Sequence, residues 1–269
     1  MKDSIFAVLG ANIKKNSYGI ACVLKMTQLL QHHEHTAVLF AEAVQVLVEK
    51  YECRSIVCDV VRELCHDDNV EPDSAGVRNT SVFLTELSNR VPHLLLNSVS
   101  LLVALLDVKS HTMRNGVLTA LSKIVQLVLS SEDLDDKLKE VRDELLSRLQ
   151  SHILDEHAFV RSKVLQIWQQ LCTEQLIPLG YQRSLLQHVV ERLLDKSSLV
   201  RKNALLFIGA FLHSNPFSAK LSVEELQKNL SIEQEKLAEI KKECGEDMDA
   251  AAACRAQRTW DSILPVIEK

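Results

Sequence analysis

Three segments of this chain superimpose on one another: "LLDVKSHTMRNGVLTALSKIV", "HILDEHAFVRSKVLQIWQQL" and "LLDKSSLVRKNALLFIGAFL". Aligned on Arg114, Arg161 and Arg201, each has an apolar residue before the arginine: Met113, Val160 or Val200. Three residues after it stand Val117, Val164 and Ala204, followed by Leu118, Leu165 and Leu205. Seven on are Leu121, Trp168 and Ile208; ten on are Ile124, Leu171 and Phe211. An aspartate closes the preceding apolar run each time: Asp107, Asp155 and Asp195. The arginines are 47 and then 40 residues apart. Helical spacing on both sides of a short polar turn, repeated at this period, restricts the chain to stacked antiparallel helix pairs. One pair cannot bury both of its apolar faces, so neighbours must share a continuous core. The expected fold class is therefore all-α, an α-solenoid of HEAT-type helix pairs.

The same three- and four-residue spacing runs through 17–30, 36–48, 55–64, 75–91, 93–106, 112–129, 134–153, 158–171, 181–194 and 198–213, and predicts a helix over each. The clearest repeats are 93–129, 134–174 and 181–213, within a solenoid expected to span 1–221. The "SSED" insertion, Ser130 to Asp133, accounts for the longer first interval. Asp107 is one residue further from its arginine than Asp155 and Asp195 are from theirs, so its turn should differ. The longest break is His66 to Thr80, with Pro72 and Gly76, and Asp73 or Ser74 is its candidate helix N-cap. Residues 222–258 are charged and weakly apolar, and read as a solvated helix with a flexible break at Gly245 to Asp249. "TWDSILPVIEK", 259–269, reads as the start of a further, truncated helix.

Composition agrees with helices. Only 7 glycines and 5 prolines serve 269 residues, too few for the turns of a sandwich or barrel, and aromatics are 4%. A formal net charge of -5 supplies no global basic field for nucleic acid, although a local stripe remains open. Seven cysteines cannot all pair, and their scatter fits a reducing compartment. The apolar run Ile5 to Leu9 is too short for a signal peptide, and Leu94 to Leu106 is too short and too polar to span a bilayer. A soluble, intracellular protein is expected.

The recurring Asp and Arg side chains are expected to form a ladder of charge-assisted hydrogen bonds along the stack: Asp107, Arg114, Asp155, Arg161, Asp195 and Arg201. Each arginine has an aspartate in its own turn. Replacing Asp195 with Ala is therefore expected to cost roughly 1 kcal/mol by unpairing Arg201. Lys163, Lys196 and Lys202 have no such partners and are the candidate phosphate or DNA contacts. "HHEH", His32 to His35, lacks the four-residue spacing of a zinc-protease helix, and Cys53, Cys58 and Cys65-His66 lack C-x-x-C spacing; Cys58 and Cys65 are expected to face the core. No phosphate loop, nucleophile elbow or dinucleotide fingerprint occurs. No catalytic residue, cofactor, metal site or small-molecule substrate is expected.

Beyond repeat logic, "NTSVFLTELSNRVPHLLLNSVSLLVALLD", "MRNGVLTALSKIV", "FVRSKVLQIW" and "LVRKNALLFIGAFLHSNPFSAKL" are distinctive strings, above all Val200 to Ala204 and Asn215 to Ser218. They resemble the middle of the D2-type, non-SMC HEAT-repeat regulatory subunits of condensin, from about Ser17 to Leu221 and again at "TWDSILPVIEK". The resemblance implies a non-catalytic scaffold that binds the kleisin subunit and DNA, reaches the SMC ATPase pair through the kleisin, and acts in mitotic chromosome condensation. It also implies residence in the nucleus and on mitotic chromosomes, with a cytoplasmic interphase pool, and no membrane partner. The alternative on repeat logic alone is another HEAT scaffold, of the transport-receptor or phosphatase-scaffold type.

Overall fold

The computed structural model describes residues 2–66, 73–131 and 134–214, with 227, 228, 230–232, 234 and 235 beyond them. It divides into two compact units, Met1–Ser214 and Asn215–Lys269. The first contains helices α1 (Lys2–Asn16), α2 (Gly19–His32), α3 (Thr36–Tyr51), α4 (Ser55–His66), α5 (Ala75–Arg90), α6 (Pro92–Leu96), α7 (Val99–Ala104), α8 (His111–Leu127), α9 (Asp136–Ser151), α10 (Ala158–Thr173), α11 (Leu179–Glu191) and α12 (Ser198–Ser214). Single 3₁₀ turns, Leu105–Asp107, His152–Leu154 and Arg192–Leu194, end α7, α9 and α11.

The pattern of contacts makes this a solenoid. Helices α3, α5, α8, α10 and α12 pack successively on one another, with α1 leading the row against α3. Helices α2, α4 and the α6–α7 pair form the start of the second row. In that row α9 and α11 are joined by the Tyr181 hydroxyl donating to the Asp143 carbonyl at 3.0 Å and by Gln150 meeting Ser184 at 3.2 Å. Between the rows one apolar core runs unbroken from Val23 to Phe207, through Leu47, Phe83, Leu118, Leu121 and Trp168. The aligned positions of the repeat are its spine: Val117, Val164, Leu165, Trp168 and Leu171 are wholly buried. Close approach of neighbours within the first row depends at one point on glycine. A Cβ on Gly116 of α8 would meet Ser81 of α5, including its backbone at 2.9 Å, so the two helices pack at a distance that glycine alone allows there.

Several elements differ from the sequence reading. Helix α1 was not anticipated, because it buries only Phe6 and Gly10 and shows no full apolar stripe. The helix expected over 93–106 is broken at Asn97 and Ser98, where Ser98 leaves helical geometry and its carbonyl accepts from Leu101 and Leu102, starting a new helix. Leu134 lies buried just ahead of α9 rather than within it. Helices α3 and α10 end on the left-handed residues Glu52 and Gln175. The following amides of Cys53 and Leu176 return to the carbonyls of Leu47 and Leu171, the hydrogen-bonded stop that glycine usually provides.

In the second unit the described positions between 227 and 235 are helical, and Leu230 and Ile232 are exposed. The rest of the charged helix expected over 222–258, the break at Gly245 to Asp249, the Asn215 to Ser218 string and the segment 259–269 lie outside the described residues. Among the described residues no helix is long and apolar enough to cross a membrane.

Candidate functional site

The corners between helix pairs carry the polar chemistry of the stack. At each corner the arginine that opens the second helix folds back onto its own turn. Arg114 donates through Nη1 to the carbonyls of Val108 and Lys109 at 2.8 and 3.1 Å. Arg161 does the same to Asp155 and Glu156 at 2.7 and 3.0 Å, and Arg201 to Asp195 and Lys196 at 2.7 and 3.0 Å. The remaining edge of the guanidinium then points to the next repeat. Arg114 Nη2 donates to Asp155 at 2.9 Å, and Arg161 grips Asp195 with both Nε and Nη2, at 2.8 and 2.9 Å.

Two rungs, Arg114–Asp155 and Arg161–Asp195, thus join successive repeats instead of closing each turn. The expected pairing of Arg201 with its own Asp195 is corrected accordingly: the Asp195 carboxylate pairs with Arg161, with Arg192 further off at 3.6 Å, and Arg201 takes only the backbone carbonyls of Asp195 and Lys196. Asp107, expected as the first rung, is exposed and has no arginine partner among the described residues. Its extra residue of spacing puts Val108, not an aspartate, at the position that Asp155 and Asp195 hold in the other corners. The rungs are well buried, with side-chain exposures of 6% and 6% for Arg114 and Asp155 and of 14% and 3% for Arg161 and Asp195. Each aspartate also closes its own turn, Asp155 accepting from the His157 amide and Asp195 from the Ser197 amide. For Asp195, the Arg161 hydrogen bonds hold the carboxyl below its ordinary value against the effect of burial. For Asp155, burial pushes upward, but the His157 amide, His152 and Arg114 outweigh it.

The first corner is built differently. Asp73, at φ 62°, reaches forward from the turn before α5. It accepts from the Ser110 hydroxyl at 2.7 Å and from the Thr112 amide at 3.0 Å, and meets His111 Nδ1 at 2.7 Å. These bonds overcome burial and hold its carboxyl well below the usual carboxylate range. Of the two expected N-cap candidates it is Ser74 that caps α5, accepting from Val77.

The three candidate lysines do not form one cluster. Lys196 is exposed at the last corner, on the rim of an open cleft of about 410 Å³ that also holds Arg161, Arg192 and Asp195. Lys163 and Lys202 lie near the starts of α10 and α12, half-buried and exposed respectively. Burial and the nearby charge of Lys123 on α8 push the Lys163 ammonium below its ordinary value. Lys123 escaped the sequence reading because it occupies a position of the repeat where α10 and α12 have Gln170 and Ala210. A pattern that did lie in the sequence is that α8, α10 and α12 contain no aspartate or glutamate at all, whereas α9 has Asp136, Glu140, Asp143 and Glu144.

Among the described residues no group of three or more His, Cys, Asp or Glu side chains could hold a metal. His32, His33 and His35 are exposed around the α2–α3 turn. Cys58 and Cys65, expected to face the core, are partly buried, and Cys65 packs against the core; among the described cysteines Cys172 is the buried one.

No family model matches the chain. Among solved structures it is similar to a designed armadillo repeat protein at 19% identity and a TM-score of 0.45, over 78% of this chain and 79% of that one. Among curated proteins it is similar to condensin complex subunit 1 of Mus musculus and of Homo sapiens, each at 35% identity over 99% of this chain and 19% of the relative. The Condensin-1 complex subunit CAP-D2 of Arabidopsis thaliana matches at 29% identity over 89% of this chain and 17% of the relative. The chain thus spans about a fifth of the length of the curated relatives it matches. Over nearly its whole length, the chain is similar to one stretch of condensin complex subunit 1.

Proposed function

We propose that the chain serves as a non-catalytic scaffold of a condensin complex, in the nucleus and on mitotic chromosomes, where it contacts the kleisin subunit and DNA. The observation that carries this reading is the similarity itself, spread over 99% of the chain rather than confined to a motif that any helical repeat would share. Through the kleisin it would work with the SMC ATPase pair, which supplies the hydrolysis that a stack of helix pairs does not need to perform.

For the DNA contact, support comes from the acid-free helices α8, α10 and α12. Three successive members of one row offer Lys123, Lys163 and Lys202 with no carboxylate on the same helices to neutralise them. A phosphate beside Lys123 and Lys163 would relieve the repulsion between them, and each neutralised phosphate releases counterions. Lys196 stands apart from this row and is the weakest of the three original candidates. The test measures DNA affinity against salt for the full chain and for the double variant Lys163→Glu, Lys202→Glu. The wild type should bind with a salt slope steeper by about 1.8 log units per log unit than the variant. An unchanged slope in a folded variant would remove the row as a DNA contact. Co-purification with the kleisin tests the other half, and no association at micromolar concentrations would count against the condensin reading.

A further inference from the structure

The corners at the starts of α8 and α10 converge on a group of rings that neither scaffolding nor DNA binding uses. His111 at the start of α8 and His157, the residue before α10, lie face to face, with centroids 4.0 Å apart and planes 17° from parallel. Phe159 flanks both rings at 5.8 and 5.5 Å. The two imidazoles come from adjacent repeats, so this stack is itself part of the contact between them.

Their surroundings are unequal. His111 meets Asp73 through Nδ1 at 2.7 Å, from the turn before α5. The Nδ1 atom of His157 is buried and has no hydrogen-bond partner. As a bare lone pair that atom is tolerable, because a neutral imidazole needs no donor at its unprotonated nitrogen. Protonation would turn it into a buried N–H with no acceptor and would set a cation close to Arg114 and against the His111 ring. The other charges around the ring are Arg114 from α8, Asp155 of its own corner and the more distant Asp73. Asp155 is already engaged by Arg114, by His152 and by the His157 backbone amide, and Glu156 beside it reaches Arg114 at 3.5 Å.

We propose that this ring stack is a proton-operated joint: with His157 neutral it fastens the α8 and α10 corners together, and a proton on His157 forces the rings apart and loosens that corner. The direction follows from linkage. Burial, then His111 and Arg114, hold the His157 imidazole below its ordinary 6.5 in the folded chain. The unfolded chain therefore takes up this proton first as pH falls. The contribution of the stack is complete above the ordinary imidazole range, is lost as pH falls through it, and stops changing below the lowered folded value. Asp155 and Asp195 remain ionised throughout this window, since their own values are depressed from the carboxylate range.

The experiment follows thermal unfolding of the full chain between about pH 7.5 and pH 5.5, where an ordinary imidazole charges. His157→Phe keeps an aromatic ring in the stack and removes its proton site. Wild type should lose about 3 °C more in Tm over that range than the variant. Equal losses would overturn the proposal. Ring-proton NMR of wild type gives a second readout that needs no variant. The His157 resonance should still report a neutral ring at the pH where free histidine is half-charged; a resonance titrating like free histidine sinks the idea.

Discussion

Helices α10 and α12 repeat the same motif, and they differ in what lies against it. Arg161 and Arg201 grip their own turns with near-identical pairs of bonds, at 2.7 and 3.0 Å in both. Arg161 then meets Asp195 in a two-pronged ion pair, while Arg201 has no carboxylate among the described residues. The apolar positions diverge in the same way: Leu165 is 0% exposed and its counterpart Leu205 61%, and Cys172 is 5% exposed and Leu212 59%. The residue types that make a repeat are thus local to its own turn. What they are worth is decided by the following repeat, as expected where stability is a sum of units and their interfaces.

Asp195→Ala separates the two arginines most sharply. It strands Arg161, whose side chain is 14% exposed, and removes the amide acceptor for Ser197. Breaking a buried pair on one side typically costs about 3–5 kcal/mol. That exceeds the roughly 1 kcal/mol expected when Asp195 was paired with Arg201 across an ordinary turn. Urea unfolding of the full chain measures it, and a loss as small as the sequence expectation would return the rung to a surface contact. Arg201→Met is the matched change with the smaller effect. It removes two carbonyl bonds but leaves no carboxylate unpaired, so its cost should be about 1 kcal/mol. If the same measurement gave equal losses for both variants, the contrast between a covered and an uncovered corner would fail.

How much of this was readable beforehand depends on whether the controlling residues are close in sequence. The second helix of each pair was legible because its apolar stripe and the apolar residue and arginine at its start are contiguous; Arg114, Asp155, Arg161 and Asp195 do meet in pairs, while Asp107 and Arg201 have no such partner among the described residues. Their pairing was not legible, because Arg114 and Asp155, or Arg161 and Asp195, are brought together only by stacking. The ends of α3 and α10 were indistinct because left-handed Glu52 and Gln175 perform a turn that a reader looks for in glycine. The break at Asn97 and Ser98 is hidden in a leucine-rich run, where periodicity favours one continuous helix. Lys123 and the His111–His157 stack depend on which helices become neighbours, and no spacing along the chain announces that.

The double grip of each arginine on its own turn has a mechanical consequence. Both halves of a rung are set before the repeats meet: the guanidinium by two carbonyls behind it, and the carboxylate by the amide of its own corner. Two such finished corners meet as a key meets a keyway. Sliding α10 along its neighbour by one residue, about 1.5 Å, would break both prongs of the Arg161–Asp195 contact together, with no flexible stem free to follow. The rung is an indexing pin, which fixes the step from one helix pair to the next and so the pitch of the whole stack.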